Sequence, residues 1–196
     1  MPDERRIDRM AGCARLGKGM LSLGIVAVTV LCFLNLNRCF FITDCGSNYL
    51  RVRQTVKDLK LVLELYKLDY NRFPLPATIA TDLDVSLRSR GLMLQALCGG
   101  EAGGLNSKKI RYMEPPMAKN RKDGLRQDGA EWVLSDLWGE PYYVILDTNG
   151  DGKLATPDSD AAQIEPEILG DVLIYSSGPD RDPKTWEDNV CSWRPH

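Results

Sequence analysis

SNYLRVRQTVKDLKLVLELYKLDYNRFP, residues 47–74, is the clearest periodic segment of the chain. Val52, Val56, Leu59, Leu63, Tyr66 and Tyr70 recur at spacings of three and four, which is one face of a helix. Arg51, Lys57, Lys60, Glu64 and Lys67 take up much of the rest of the surface. Ser47 or Asn48 is placed to cap this helix, which should run to about Asp69. Asn71-Arg72-Phe73-Pro74-Leu75-Pro76 then stops it, because proline cannot continue a helix and disfavours the α conformation before it.

Upstream, the stretch Met20–Leu36 contains no charge, and Arg5, Arg6, Arg9, Arg15 and Lys18 precede it. At ~1.5 Å per residue this run covers about 25 Å, the short end of a membrane span. Continuing through Cys39-Phe40-Phe41-Ile42, with Arg38 snorkelling, gives about 34 Å. Asn37-Arg38-Cys39 offers no small-residue cleavage site, so we expect a retained anchor. The expected organisation is a basic cytoplasmic leader over residues 1–19, a transmembrane helix over 20–42 and an extracytoplasmic domain over 43–196, since basic flanks stay inside. Cys39, Cys45, Cys98 and Cys191 then lie outside or near the boundary, where disulfides persist, and Cys98–Cys191 is the favoured bridge.

Downstream, Thr81–Leu97 reads as a second helix, with Leu83, Leu87, Leu92 and Leu97 as core positions. Gly99–Gly104 and Pro115–Gly129 read as loops, the second a solvated flap rich in Lys and Arg. Tyr142–Leu146 and Val172–Tyr175 are aromatic and β-branched, as strands are. A long helix followed by a small antiparallel sheet makes the fold class α+β.

The net charge of -2 carries no basic surplus for nucleic acid, so no nucleic-acid partner is expected. The single histidine, His196, excludes a Ser-His-Asp triad or an HExxH zinc site. No residue set orients two carboxyls across a sugar, and no small-molecule substrate is expected. The acids cluster instead in two loops. Asp147-Thr148-Asn149-Gly150-Asp151-Gly152-Lys153, ending at Asp158, fits an EF-hand-type spacing. Asp147, Asn149, Asp151 and Asp158 would supply side-chain oxygens, and Lys153 its carbonyl. A plain Asn-Gly-Asp-Gly turn between strands is the other reading.

The chain resembles the pseudopilins of type II secretion, members of the type IV pilin-like superfamily, and the major G-type subunit in particular. The resemblance rests on ordered motifs: Tyr66 to Phe73-Pro74 at the end of the helix, Leu97-Cys98-Gly99-Gly100-Glu101, and Tyr112-Met113-Glu114-Pro115. Asp136-Leu137-Trp138-Gly139-Glu140-Pro141-Tyr142 and Ser176-Ser177-Gly178-Pro179-Asp180 with Asp188 and Trp193 complete the series. It implies a pilin-like fold, a bacterial inner-membrane anchor with a periplasmic domain, and no enzymatic activity. It also implies other pilin-like subunits and the secretion or pilus assembly machinery as partners. It further implies calcium in the C-terminal loop, held by Asp180 and Asp188 with the Ser176 carbonyl, joined by Ser177 or Asp182; a solvated acidic loop is the alternative. Lys18-Gly19-Met20 matches the family's processing site, with cleavage between Gly19 and Met20. Gly24 departs from the pattern, standing where the family carries a glutamate, so major and minor positions in such a filament are both open. A membrane-tethered calcium-binding module that does not polymerise is the alternative function. Trp138 is expected in the core.

Overall fold

The computed structural model describes residues 46–194. The leader, the apolar run and the Gly19–Met20 site lie outside the described residues. Asn48–His196 forms one compact unit. Among the described residues no helix is long and apolar enough to cross a membrane.

The first helix, α1, covers residues 46–70. Val52, Val56, Leu59, Leu63 and Tyr66 are buried, and Val62 joins them at the edge of the stripe. Tyr70 is half-buried and stacks on Tyr66 at 4.5 Å. The helix stops where Asn71 turns left-handed, φ 52°, ahead of Phe73-Pro74.

The expected helix over Thr81–Leu97 is two elements instead. β1 (Val85–Arg88) is a strand, and α2 (Gly91–Leu97) is a short helix. The leucines at 83, 87, 92 and 97 are spaced four, five and five apart, which no helical face matches. Val85 and Leu87 pack on the core while Ser86 between them is exposed. Gly91 at φ 70° then separates strand from helix. Leu83 and Leu92 are exposed and Leu87 half-buried, so of the four expected core leucines Leu97 alone is fully buried.

β2 (Gly124–Asp128) and β3 (Glu131–Ser135) make a separate hairpin, so the expected flap is part strand. β4 (Tyr143–Leu146) and β7 (Val172–Ser176) fall where aromatic and β-branched residues placed them. With β1 and β8 (Val190–Cys191) they form an antiparallel sheet in the order β1-β4-β7-β8. β5 (Lys153–Ala155) and β6 (Glu167–Leu169) pair by themselves. One face of the main sheet, through Val144, Leu146, Val172, Ile174 and Val190, shares a single core with α1 and α2. The other face carries Tyr143 stacked on Tyr175 at 4.5 Å, with Trp186 and Trp193 against Tyr175.

The Cys98–Cys191 bridge is not formed: both are free thiols. Cys98 follows α2 and Cys191 lies on β8, at different places in the fold. Burial raises both, Cys191 to about 12. Cys191 packs as a small buried hydrophobe and Cys98 is half-buried, without a cross-link between them.

Candidate metal centre

Both acidic loops grow out of the ends of sheet strands. The first leaves β4 at Asp147, which is buried. Its Oδ1 accepts the Gly150 N–H at 2.6 Å, and its Oδ2 accepts the Gly152 N–H at 2.9 Å. Asn149 Oδ1 accepts from Asp151 N–H, and Asp151 Oδ1 from Lys153 N–H, each at 2.9 Å. The curl expected of an EF-hand-type loop is therefore present over Asp147–Lys153, but its carboxylates are occupied by the loop's own amides.

Asp158 does not return to close the loop. Residues Lys153–Ala155 straighten into β5 and pair with β6, which carries Asp158 elsewhere. There its Oδ1 accepts the Asp160 N–H at 2.9 Å, and its Oδ2 pairs with the Arg194 guanidinium. Lys153 itself sends its Nζ to Glu167 at 2.9 Å. Asp84, just before β1, approaches from the other side. Its Oδ1 is buried without a hydrogen-bond partner, and burial, then Asp147 and Asp151, raise its carboxyl. Sequence reading missed Asp84 because it lies far from the loop in the chain; only the β1–β4 pairing brings it near.

The second loop leaves β7 at Ser176 and returns at β8. Ser176 is buried, and its hydroxyl donates to Asp136 Oδ2 at 2.6 Å. That commits Ser176 Oγ to the Asp136 turn. Asp180 spends its carboxylate on the Thr185 hydroxyl and the Asp182 N–H, which hold it below the ordinary carboxylate range. Asp182 accepts from Lys184 N–H at 3.0 Å.

Three buried oxygens of this loop have no hydrogen-bond partner: Ser177 Oγ, Asp188 Oδ1 and Asn189 Oδ1. Ser177 is 0% exposed and Asn189 2%. The β7–β8 register ends at Ser176 opposite Val190, so Ser177 and Asn189 are the next pair in line. Gly178, left-handed at φ +68°, makes the closure: a Cβ there would sit 2.6 Å from the Asp188 carbonyl and 2.7 Å from its Oδ2. Burial raises the Asp188 carboxyl, against the pull of the Asp180 N–H.

Orphaned buried oxygens cost ~1–3 kcal/mol each. Oxygen donors of mixed type, with one carboxylate drawn in by a glycine, suit a hard divalent cation such as calcium. Of the sequence-derived ligands Asp180, Asp182, Asp188, Ser176 and Ser177, Asp188 and Ser177 offer a spare buried side-chain oxygen here. Asn189 was missed, since an Asn after an Asp carries no spacing signal of its own. Among the described residues no group of three or more His, Cys, Asp or Glu side chains is arranged to hold a metal, so the fit rests on the neutral oxygens as much as on the acid. Compared with family models, curated proteins and solved structures, the chain shows no match.

Proposed function

We propose that the chain is a membrane-anchored, pilin-like structural subunit that assembles through α1 and carries calcium in its C-terminal loop. The observation that carries this reading is the second apolar stripe of α1. Over the second half of the helix, Leu61, Leu65 and Leu68 are 54%, 42% and 81% exposed. At about 100° per residue they fall within roughly 60° of arc, nearly opposite the Val52–Leu59–Tyr66 face. A helix that is apolar on two opposite faces has one face for its own core and one for a partner helix.

Scattered exposed leucines are ordinary, but an aligned row on a helix that continues from an apolar run in the sequence is what subunit-to-subunit helix packing requires. Ser177, Asp188 and Asn189 would hold the calcium, whose charge would order a loop with little regular structure. The acids then have a structural role, and Asp136 and Glu140 shape a turn rather than turning over a substrate.

The test is the triple variant Leu61→Gln, Leu65→Gln, Leu68→Gln in the full chain. Exposed positions should leave the domain's melting within ~0.5 kcal/mol of the parent. Large assemblies extracted from membranes, seen by sedimentation, should disappear. A parent chain that sediments as a monomer under all extraction conditions favours the non-polymerising calcium module instead.

A further inference from the structure

One run of contacts joins the C-terminal loop to the first turns of α1, and subunit packing by itself gives it no role. Ser176 precedes Ser177, whose Oγ is one of the three orphaned oxygens. The Ser176 hydroxyl donates to Asp136 Oδ2 at 2.6 Å, and both residues are 0% exposed. Asp136 Oδ1 accepts the N–H groups of Trp138, Gly139 and Glu140 at 2.8–2.9 Å. The Asp136 carbonyl accepts the Asp123 N–H at 2.6 Å. Both branches then reach the helix: Asp123 pairs with Arg51, and the Trp138 ring meets Tyr49 edge-on at 5.6 Å. Ser176 and the Asp136 turn thus link the orphaned oxygens to α1.

The two ends of this run are held with different firmness. Around Asp136 the bonds are short and buried. Residues 177–189 form neither helix nor strand. The bonds that close this loop onto its base are long: the Gly178 N–H reaches Ser176 Oγ at 3.3 Å, and the Asp180 N–H reaches Asp188 Oδ2 at 3.4 Å. β8, where the loop returns, is an edge strand held to β7 by two residue pairs, Tyr175 with Cys191 and Ser176 with Val190.

Buried oxygens without a partner favour any motion that brings them to water. A loop with few internal bonds makes such a motion locally, without unfolding the domain. The loop therefore has two arrangements. In one it is closed, with a cation on Ser177, Asp188 and Asn189. In the other it is open, with those oxygens hydrated. Opening moves Ser177, and with it the neighbouring Ser176 hydroxyl that sits on Asp136.

We propose that calcium works as a conformational switch through this run. The bound ion closes the loop, keeps Ser176 on Asp136, and so fixes the Trp138 turn against the first turns of α1. The proposal rests on the calcium reading above. A run of hydrogen bonds is ordinarily only structure. Here one end is a loop with two arrangements, and an ion that binds one of them better shifts the balance between them. Such coupling is reciprocal, so loosening the Trp138–Tyr49 end must weaken calcium binding at the other.

The experiment uses the full chain in phosphatidylcholine nanodiscs, with calcium or with chelator. Calcium uptake is measured by calorimetry, and amide hydrogen exchange is followed residue by residue. The amides of Trp138, Gly139 and Glu140 should exchange about fivefold more slowly with calcium. The amides of Gly150 and Gly152, which Asp147 holds in the same way, should keep their rates. Trp138→Ala removes none of the orphaned oxygens, yet it should weaken calcium binding by about fivefold. Tyr70→Phe, at the other end of α1, should leave the affinity at the parent value. Calcium uptake with unchanged exchange at residues 138–140 overturns the switch and leaves the ion site standing. Equal slowing at Gly150 and Gly152 also overturns it, since calcium then steadies the whole domain. A parent affinity in Trp138→Ala removes the reciprocity and the switch with it. A parent chain that takes up no calcium at millimolar concentration refutes the ion site itself, and the switch falls with it.

Discussion

Asp136 carries four hydrogen bonds with no exposed surface. Oδ1 gathers the N–H groups of Trp138, Gly139 and Glu140 at 2.8–2.9 Å, and Oδ2 takes the Ser176 hydroxyl. One side chain therefore ties the turn before β4 to the start of the C-terminal loop. Burial pushes its carboxyl above the ordinary 3.8, against the lowering pull of Ser176 and the three amides. A raised carboxyl binds its proton more tightly folded than unfolded. Its contribution to stability is therefore full below 3.8 and is lost as pH rises through the folded value. Asp136→Asn keeps an acceptor for the three amides and removes the titration. Denaturant melts from about pH 4 to neutrality should show a flatter pH dependence in the variant; parallel curves would mean that Asp136 does not titrate in the folded state. Gly178 decides a second residue-scale outcome. Calcium at 100 times its dissociation constant should stabilise the parent by about 2.7 kcal/mol. Gly178→Ala should lose that response, because a Cβ would meet Asp188 at 2.6–2.8 Å and the left-handed φ +68° is itself unfavourable by ~1–2 kcal/mol. A variant that still gains stability from calcium would place the ion elsewhere.

Elements differ in how plainly they show themselves. α1 was legible because its apolar spacing is long, regular and closed by Asn71 and Phe73-Pro74. β4 and β7 were legible from their aromatic and β-branched runs. β1 was not: four residues with two partly buried hydrophobics give too short an alternation, and the nearby leucines suggested a helix. The curl of Asp147–Lys153 could be read from Gly150 and Gly152, whereas the departure of Asp158 could not. It depends on β5 pairing with β6, a contact across the chain that no local pattern announces. Asn189 was hidden for the same reason, since it is the β7–β8 pairing that makes it a neighbour of Ser177. Trp138, expected in the core, is half-buried against Tyr49 of α1. The Asp136 cage fixes the turn and seats the indole at the helix flank. Trp138→Ala should therefore cost about 1–2 kcal/mol, below the ~3–5 of a fully buried Trp. A loss of 4 kcal/mol or more, on the order of the core value, would return Trp138 to the core.

At the scale of the whole molecule, one polarity runs across α1. Along the helix an acidic loop lies at each end: the Asp147 loop at the Lys67 end, and the Ser176 loop, through Asp136 and Asp123, at the Arg51 end. Across it, one apolar face builds the core and the other is open to solvent. In the proposed assembly, the open apolar face takes a like helix alongside. The most direct test of assembly through α1 is a photo-crosslinking amino acid placed at Leu61 or Leu68 of the full chain in native membranes, with Glu187 as a control position. Two versions of the chain that differ in size should give mixed-size adducts from Leu61 and Leu68 and none from Glu187. Adducts that never contain a second copy of the chain, at either position, would contradict assembly through α1.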